Sequence, residues 1–381
     1  MKDGWDIKKL GEVCFITMGQ SPNSESYNKL GDGLPFFQGC SDFGAIHPLV
    51  TTWCNQPNKI ANPNDILMSV RAPIGTLNIA DSKCCIGRGL AAFTQKEGVT
   101  INKFLYYFLL SSKGDLQSKG TGATFKAIGK ELIKNYAIKL PSLTEQQHIV
   151  EELDLLSSII EKKKAQLNEL DNLAQSLFYE MFGDPITNDK GWEVKELKSI
   201  CSKITDGTHD TPQRLDKGVK FITGKHIRPF SVDYDNSDYV TEEVHREIIL
   251  RCNPEKGDVL YTNIGAGIGN AAINTVDYEF SMKNVALLKL CKIIVNGYYM
   301  EFYLNNDFIK TNIIENFSNG GAQKFLSLKS IARIPVPIPP YDLQTQFASK
   351  IEAIEHQKEF IKQSIKEVET LFNSRMDYYF N

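Results

Sequence analysis

Two segments of the chain carry apolar residues at alternating spacings of four and three positions, the pattern of a coiled-coil helix. In the first segment the pattern runs through Ile149, Leu153, Leu156, Ile160, Leu167, Leu170, Ala174, Leu177 and Met181. In the second it runs through Phe347, Ile351, Ile354, Ile361, Ile365, Val368 and Phe372. A seven-residue apolar repeat sustained over about four heptads predicts a seam that packs against another helix.

A seam helix is unstable alone because it exposes too much apolar surface, so we expect the two helices to pair with each other. With one globular domain attached to each, antiparallel packing and pseudo-twofold symmetry follow; homodimerisation through one helix is the alternative. Lys163 and Lys358 each interrupt a seam once. These lysines either set the register, meet an acidic group or extend outward to solvent. Gly183 and Pro185 are typical of a helix C-terminus and end the first helix.

The two stretches that precede these helices repeat each other. Both contain an opening strand with Gly-Trp, a strand and glycine-containing turn, an aromatic helix, and a polar loop. The matching ranges are 4–10 and 191–197, 64–75 and 257–269, 104–109 and 298–304, and 120–126 and 319–324. A final strand runs into Pro141 in the first copy and Pro339 in the second, which ends the sheet and starts a helix. The second copy carries about a dozen inserted residues.

The predicted fold class is therefore α+β, with two similar α/β domains, each followed by a long helix. The predicted bounds are 1–142 for the first domain, 143–183 for its helix, 184–340 for the second domain and 341–381 for the last helix. An apolar content of 42% excludes a disordered chain. No leader is recognisable, and no apolar run approaches the roughly 20 residues of a membrane span. The eight scattered cysteines indicate reduced thiols in the cytoplasm.

The net charge of −3 at first argues against a nucleic-acid partner. The acidic residues, however, are concentrated in the predicted helices. Residues 142–183 carry 3 Lys or Arg against 8 Asp or Glu, whereas residues 1–141 carry 16 against 11. Charge therefore neither excludes DNA nor indicates it.

The order of these motifs resembles the specificity (S) subunit of type I restriction-modification enzymes. The resemblance rests on the Gly-Trp openings, on the segment Lys-Ile-Thr-Asp-Gly-Thr-His-Asp-Thr-Pro at 203–212, and on the Asp-Ile/Val-Leu strands that lead to Ile-Gly. The Leu-Pro-Ser-Leu-Thr-Glu-Gln-Gln entry to the first helix at 140–147 adds to it. It covers residues 4–376. The second copy departs from the pattern, with Tyr-Asp-Leu-Gln-Thr-Gln at 341–346.

The resemblance implies a non-catalytic subunit in which each of two target recognition domains reads half of a split sequence in double-stranded DNA. The helices would set the gap between the half-sites and dock two methyltransferase (M) subunits, which motor-nuclease (R) subunits then join. No cofactor is expected in this chain; S-adenosylmethionine, ATP and Mg²⁺ would be bound by the partners. The alternatives are a DNA methyltransferase or nuclease with duplicated domains, or a coiled-coil adaptor that does not bind DNA.

The chemistry of the residues favours the non-catalytic alternative. An amino-methyltransferase needs an Asp/Asn-Pro-Pro-aromatic corner, and the nearest sequences, at 62–64 and 184–186, lack the second proline. The glycines at 265–269 resemble a cofactor loop but are better explained as a turn between strands. The Asp-Ile-Lys and Glu-Val-Lys sequences at 6–8 and 193–195 resemble a nuclease motif, yet lie in the opening strands. No phosphate-binding loop of the Gly-x-x-x-x-Gly-Lys-Ser/Thr type occurs.

DNA recognition needs planar hydrogen-bonding groups at base edges and Lys, Ser or Thr at phosphates, so the candidates are polar residues in loops. In the first domain they are Gln20, Ser21, Asn23, Gln38, Arg71, Arg88, Lys119, Thr121, Thr124 and Lys126. In the second they are Thr208, His209, Arg214, Lys225, His226, Arg228, Asn263, Asn284, Gln323 and Lys324. Arg71 is the strongest candidate, because an arginine between a buried strand and a turn rarely serves packing. Each of the others is equally well explained as a solvated loop residue, and His209 also as a turn or core histidine.

Overall fold

A computed structural model describes residues 4–122, 126–320 and 324–381 of the chain. It has a mixed α/β fold in which a domain and a long helix follow each other twice, so the predicted succession is confirmed at this level. The chain divides into two compact units. Unit 1 comprises Met1–Lys164 and Gln363–Asn381, and unit 2 comprises Ala165–Lys362. Each long helix thus contributes one segment to each unit.

The described residues form helices and strands that alternate along the chain. The helices are α1 (Leu10–Val13), α2 (Asn102–Ser111), α3 (Lys113–Ser118), α4 (Lys130–Lys134), α5 (Leu143–Phe182), α6 (Leu197–Ile200), α7 (Glu242–Arg251), α8 (Gly297–Asn305), α9 (Asp307–Phe317), α10 (Leu328–Ile331) and α11 (Tyr341–Phe380). The strands of the first copy are β1 (Asp6–Lys9), β2 (Cys14–Met18), β3 (Tyr27–Asn28), β4 (Leu34–Phe37), β5 (Trp53–Cys54), β6 (Ile60–Ala61), β7 (Ile66–Ser69), β8 (Leu77–Ile79), β9 (Cys84–Ile86), β10 (Leu90–Gln95) and β11 (Ala137–Leu140). Those of the second copy are β12 (Glu193–Glu196), β13 (Cys201–Asp206), β14 (Val219–Thr223), β15 (Ile227–Arg228), β16 (Ser231–Val232), β17 (Asp238–Val240), β18 (Val259–Thr262), β19 (Ala271–Ile273), β20 (Ser281–Lys283), β21 (Val285–Leu290) and β22 (Pro335–Ile338).

The core of unit 1 lies between a four-stranded sheet and helices. The sheet has the order β2-β10-β7-β8, and all its pairings are antiparallel. The aromatic helix α2 buries Phe104 and Leu105 in this core. The segment of α5 in unit 1 adds Ile149 and Leu153, and the C-terminal end of α11 adds Phe380. Both long helices are therefore part of the hydrophobic core of the domain, rather than appendages to it.

Unit 2 repeats this plan. Its four-stranded sheet has the order β13-β21-β18-β19, which matches the first copy strand for strand. In each copy the first strand pairs with the last, β1 with β11 and β12 with β22. The core again includes both long helices, through Phe178 and Phe347. The copies differ in the second sheet, which is β3-β5-β4-β9-β6 in the first copy and β17-β14-β20 in the second. Helix α7 has no counterpart among the described residues of the first copy and accounts for most of the inserted residues.

Within each unit, the segments of α5 and α11 contact each other through charged and aromatic side chains. In unit 1, Lys164 Nζ lies 2.9 Å from Glu369 Oε1, and the guanidinium of Arg375 donates to Glu152 at 2.8 Å. In unit 2, the rings of Phe182 and Phe347 are 5.1 Å apart. Every apolar residue of the two predicted seams is buried or half-buried.

Lys358, which interrupts the second seam, meets acidic groups and does not extend into solvent. Its ammonium lies 2.7 Å from Asp171 on α5 and 2.6 Å from Glu355 on its own helix. These carboxylates raise the pKa of Lys358 although burial acts against them. Of the explanations left open by the sequence, a meeting with an acidic group therefore applies to this lysine.

A buried glutamine ties the start of each long helix to its domain. Gln146 is fully buried; its Oε1 accepts a hydrogen bond from Ile101 N at 2.8 Å, and its Nε2 donates to Pro141 O at 3.0 Å. Gln344 repeats the arrangement with Asn296 N at 2.8 Å and Pro339 O at 2.8 Å. Each amide satisfies backbone groups that would otherwise be buried without partners. The direction in which each helix leaves its domain is thereby fixed.

We expect Gln146→Leu to weaken unit 1 locally. The substitution keeps the side-chain volume roughly constant but removes the partner of one backbone N–H and two backbone carbonyls, and each unpaired group costs about 1–3 kcal/mol. Hydrogen exchange, followed by mass spectrometry, should speed up around residues 99–101 and at the start of α5. Gln344→Leu should instead affect residues 294–296, so that each variant is the control for the other. Exposed Gln147→Leu should change neither region, and equal effects from all three substitutions would contradict this role.

We expect Glu301 to make the stability of unit 2 depend on pH. Its side chain is buried, and burial raises its pKa to about 8. The carboxyl accepts a hydrogen bond from Ile273 N at 2.9 Å, Glu355 raises its pKa further, and Lys358 lowers it. Between pH 4.5 and 8 the folded state therefore binds more protons than the unfolded state, and stability falls as the pH rises through this window.

Glu301→Gln should remove that dependence, because an amide accepts the same hydrogen bond but does not ionise. We expect thermal unfolding of the variant to match that of the parent chain near pH 5 and to occur at a higher temperature at pH 8.5. Exposed Glu315→Gln is the matched control and should alter neither value. A variant that is less stable than the parent at both pH values would disprove this assignment.

Candidate nucleic-acid interface

In unit 1 three of the candidate residues line one cleft of about 350 Å³. Gln38 follows β4, Arg71 follows β7, and Arg88 lies between β9 and β10. The remaining lining comes from small or backbone groups, namely Gly39, Cys40, Ser41, Ser69, Ala72 and Gly89. Because three loops that are far apart in sequence meet here, the cleft depends on the fold of the whole domain.

Hydrogen bonds order the polar side of this cleft. Gln38 Nε2 donates to Ser21 Oγ at 2.9 Å, and the backbone N–H of Arg88 points to the same hydroxyl at 3.4 Å. Arg71 and Arg88 are exposed, and no carboxylate in the described part of the chain pairs with either guanidinium. Two exposed guanidiniums on one cleft suit phosphate oxygens and the acceptor edge of guanine.

The polar loop after α3 lies beside Arg71. Arg71 and Thr121 both form β-bridges with Ala127, and Ala72 N donates to Lys126 O at 3.1 Å. Thr121 and Lys126 are exposed at this edge, whereas Thr124 lies outside the described residues.

The other candidates of the first domain are separate from the cleft lining or already have partners. The ammonium of Lys119 pairs with Asp115 and lies 5.0 Å from the ring of Tyr136. Asn23 Oδ1 accepts from Glu25 N at 3.4 Å and caps a short 3₁₀ turn. Gln20 is exposed, and its backbone N–H donates to Ile86 O at 3.0 Å, next to Ser21.

Unit 2 has a cleft of similar size, about 360 Å³. The candidates Arg214, Lys225 and Asn284 line it, together with Lys283, which the sequence analysis did not single out. The other lining residues are Thr223, Gly224, Ile264, Gly265, Ala266 and Gly267. This cleft is also basic, but among the described residues Arg214 and Lys225 have no basic counterparts in the lining of the first cleft.

Ion pairs hold the polar groups of the second cleft in place. Asp238 Oδ2 lies 2.8 Å from Arg214 Nη1 and 3.1 Å from Lys225 Nζ. His209 is exposed, which excludes the core interpretation. Its Nε2 lies 3.0 Å from Asp206 Oδ2, and its Nδ1 lies 3.0 Å from Asn284 Oδ1. Thr208 Oγ1 accepts from Asp210 N at 3.0 Å, so the loop that carries His209 is ordered.

The structure places the remaining candidates of the second domain elsewhere. His226 is buried, its Nδ1 accepts from Thr223 N at 2.9 Å, and burial lowers its pKa, so it is neutral and supports the turn beneath the cleft. Asn263 is also buried, at the end of β18. Arg228 is exposed on the β15-β16 hairpin, and exposed Lys324 precedes Phe325, which forms a bridge with Ile264. Gln323 lies outside the described residues.

The glycine-rich segment 265–269 is a turn between β18 and β19, as the sequence predicted. Gly265 and Gly269 have φ of +92° and +83°, which glycine adopts without steric cost. The N–H of Gly269 closes the turn on Thr262 O at 2.8 Å. In the first copy Gly75, with φ of +80°, closes the equivalent turn on Ser69 O at 2.9 Å. The resemblance to a cofactor loop is therefore explained by the backbone geometry.

The sequences that resemble a nuclease motif lie in the edge strands β1 and β12, where Glu193 pairs with Lys195 at 3.1 Å. Within residues 4–122, 126–320 and 324–381, no three His, Cys, Asp or Glu side chains are grouped so as to hold a metal ion. None of the helices in those ranges is both long and apolar enough to cross a membrane.

Comparisons with known proteins agree with the duplicated fold. A family model described as the type I restriction modification DNA specificity domain matches residues 2–172 and again 189–370. The chain is 40% identical over 177 residues to the putative type I restriction enzyme MjaX specificity subunit of Methanocaldococcus jannaschii, which covers 46% of this chain and 42% of that relative. It is 25% identical to the MjaIX specificity subunit of the same organism, over 92% of this chain and 86% of the relative.

Among solved structures, the S subunit of a type I restriction-modification system from M. genitalium matches with a TM-score of 0.62. The match covers 100% of this chain and 97% of that chain at 17% sequence identity. At this identity the similarity shows a shared fold. It does not show which residues contact a ligand.

Proposed function

Since the chain belongs to the family of type I restriction-modification DNA specificity domains, we propose that it is the subunit that selects the DNA sequence for a type I complex. Each domain reads one half of a bipartite site in double-stranded DNA. The observation that carries this proposal is the pair of clefts, which occupy equivalent places in the two copies but have different polar linings. Two copies of one fold with different linings suit two different half-sites on the same kind of ligand.

The energetics of base recognition favour a two-domain reader. A good bidentate contact to a base discriminates by about 1–3 kcal/mol, so one small domain cannot select a unique site in a genome. Joining two readers multiplies their selectivity, provided that the connection keeps them in phase with the helical turn of DNA. A rigid connection is therefore part of the recognition chemistry.

We propose that α5 and α11 supply this connection as an antiparallel coiled coil along their whole length. Inside unit 1, Glu152 meets Arg375 and Lys164 meets Glu369, so rising numbers on one helix face falling numbers on the other. Inside unit 2, Asp171 meets Lys358 and Phe182 meets Phe347, so the numbers again rise on one helix as they fall on the other. The same order in both units supports a single seam.

The partners follow from the proposed role. The helices, at 143–183 and 341–381, dock two M subunits, and R subunits join the complex. S-adenosylmethionine is then bound by M, and ATP and Mg²⁺ by the partners that methylate, translocate or cleave DNA in the cytoplasm. The proposed DNA readers are the domains 1–142 and 184–340, which carry the candidate DNA-binding residues, and catalysis belongs to the partners.

Methylation mapping in cells tests the proposal. Cells that express this chain with its M subunit should carry methyl groups at one split sequence, and cells that express M alone should carry none. S-adenosylmethionine-dependent methylation or metal-dependent cleavage by the isolated chain would support an enzyme instead. Methylation without any sequence preference by the complex would support the coiled-coil adaptor.

We expect that lengthening the helices lengthens the gap in the recognised sequence. One heptad inserted in α5 after Lys164 and one in α11 after Lys362 add about 10 Å, which corresponds to about three base pairs. The methylated sequence should keep both half-sites and change only in the gap. In the control, the heptad that follows Lys164 and the one that follows Lys362 are replaced by other heptads without a change in helix length. An unchanged gap in the longer variant would contradict the proposed spacer.

A further inference from the structure

The backbone defines which positions of the two clefts are equivalent. Leu90 pairs with Ser69 across the first sheet, and Val285 pairs with Thr262 across the second. Ser69 and Thr262 each accept the hydrogen bond that closes the next turn. Counting back two residues from Leu90 and Val285 places Arg88 and Lys283 at the same point of the fold.

Counting forward two residues from Ser69 and Thr262 makes Arg71 equivalent to Ile264. This position is basic in one copy and apolar in the other. The 3₁₀ turns Cys40–Asp42 and Gly224–His226 are equivalent as well, which pairs Ser41 with Lys225. Of the equivalent positions that line both clefts within the described residues, the one occupied by Arg88 and Lys283 is basic in both.

We infer that Arg88 and Lys283 are the phosphate contacts shared by the two domains, and that the divergent positions, Arg71 with Ile264 and Ser41 with Lys225, select bases. The inference rests on the proposed function. Both domains would bind the same phosphate backbone but different base sequences. A residue type that is kept in both copies therefore suits a contact with the DNA backbone, and a residue type that differs suits the recognition of bases.

The local structure suits a fixed phosphate contact. In each copy, the loop after the first strand of the four-stranded sheet passes close to the backbone that directly precedes the basic residue. A Cβ at Gly19 would lie 2.1 Å from Gly87 O, and a Cβ at Gly207 would lie 2.0 Å from Met282 O, so glycine is required at both places. Gly87 and Met282 directly precede Arg88 and Lys283, whose backbone is therefore firmly positioned in both copies.

The side chains themselves are available. Arg88 is exposed and Lys283 is half-exposed, with its ammonium near the hydroxyl of Thr211. Neither forms an ion pair with a carboxylate in the part of the chain that the structure describes. By contrast, Lys225 already shares Asp238 with Arg214, so its charge is partly neutralised.

The divergent positions offer different base chemistry. Arg71 presents a planar fork of donors, which fits O6 and N7 of guanine. Ile264 presents an apolar side chain, which fits the methyl group of thymine. These groups would give each domain a different preferred base at the same place in its half-site.

The test uses the complex of the full chain with its M subunit and measures DNA affinity over a salt series, on a duplex with the mapped site and on one without it. Arg88→Ala should weaken binding to the duplex with the site and to the duplex without it by the same factor, and so should Lys283→Ala. Each should reduce the slope of log affinity against log salt by about one. Arg88→Lys and Lys283→Arg should restore the slope, because the charge is kept.

Arg71→Ala should lose affinity for the specific duplex alone, by about 5- to 150-fold, which corresponds to 1–3 kcal/mol. The preference should relax at one base pair of one half-site. Exposed Lys83→Ala and Lys256→Ala, outside the clefts, are charge-matched controls and should leave the slope unchanged.

The outcomes separate the inference from the function on which it rests. A parent complex that binds neither duplex overturns the proposed function. The other outcome is that the parent complex binds the site, but the Arg88→Ala and Lys283→Ala variants keep its salt slope or lose only specific affinity. That outcome leaves the function intact and overturns the inference.

Discussion

The buried amide that joins each long helix to its domain is the interaction on which the rest of the structure depends. Gln146 and Gln344 each satisfy backbone groups of the domain from inside the first turns of a helix, and the aromatic core closes around the same helix. A helix held only by its apolar seam could slide or rotate against the domain. Hydrogen bonds from a fully buried amide are directional, so they select one arrangement. The proposed reading of a split DNA sequence would need a fixed helix direction, because small changes in direction at a domain become large displacements along a long helix.

The two clefts illustrate how a duplicated fold can diverge in its lining residues and retain its framework. The framework is carried by the backbone: the order of the four-stranded sheet, the closed turn after β7 and β18, and the glycines at 19 and 207. The charged lining residues Arg71, Arg88, Arg214 and Lys225 are exposed, so their substitution costs little stability. Two of the basic residues in the second cleft, Lys225 and Arg214, accordingly have no basic counterparts among the described lining residues of the first cleft. The framework and the charged lining of each cleft thus depend on different atoms of the same loops.

The distribution of charge has a structural explanation. The net charge of −3 conceals acidic long helices and basic clefts. On the helices, acidic groups pair with Lys164, Lys358 and Arg375, and so contribute to packing. In the clefts, the exposed guanidiniums of Arg71 and Arg88 have no carboxylate partner among the described residues. The local field at each cleft, rather than the sum over the chain, is the quantity that matters for an anionic ligand.

The sequence by itself determined the duplication, the two long helices, the closing prolines and the turn at 265–269, because each depends on local periodicity or on the conformational limits of glycine and proline. It also identified Arg71 as an arginine between a buried strand and a turn, and Arg88 as a polar loop residue. Only the tertiary structure decided that these two residues share a cleft, that Lys283 is equivalent to Arg88, and that His226 is buried beneath the second cleft. It alone revealed the buried contacts of Gln146, Gln344 and Glu301. The physical reason is that burial and pairing depend on strand register and on loops far apart in the chain, and no local pattern of residues encodes which loops meet.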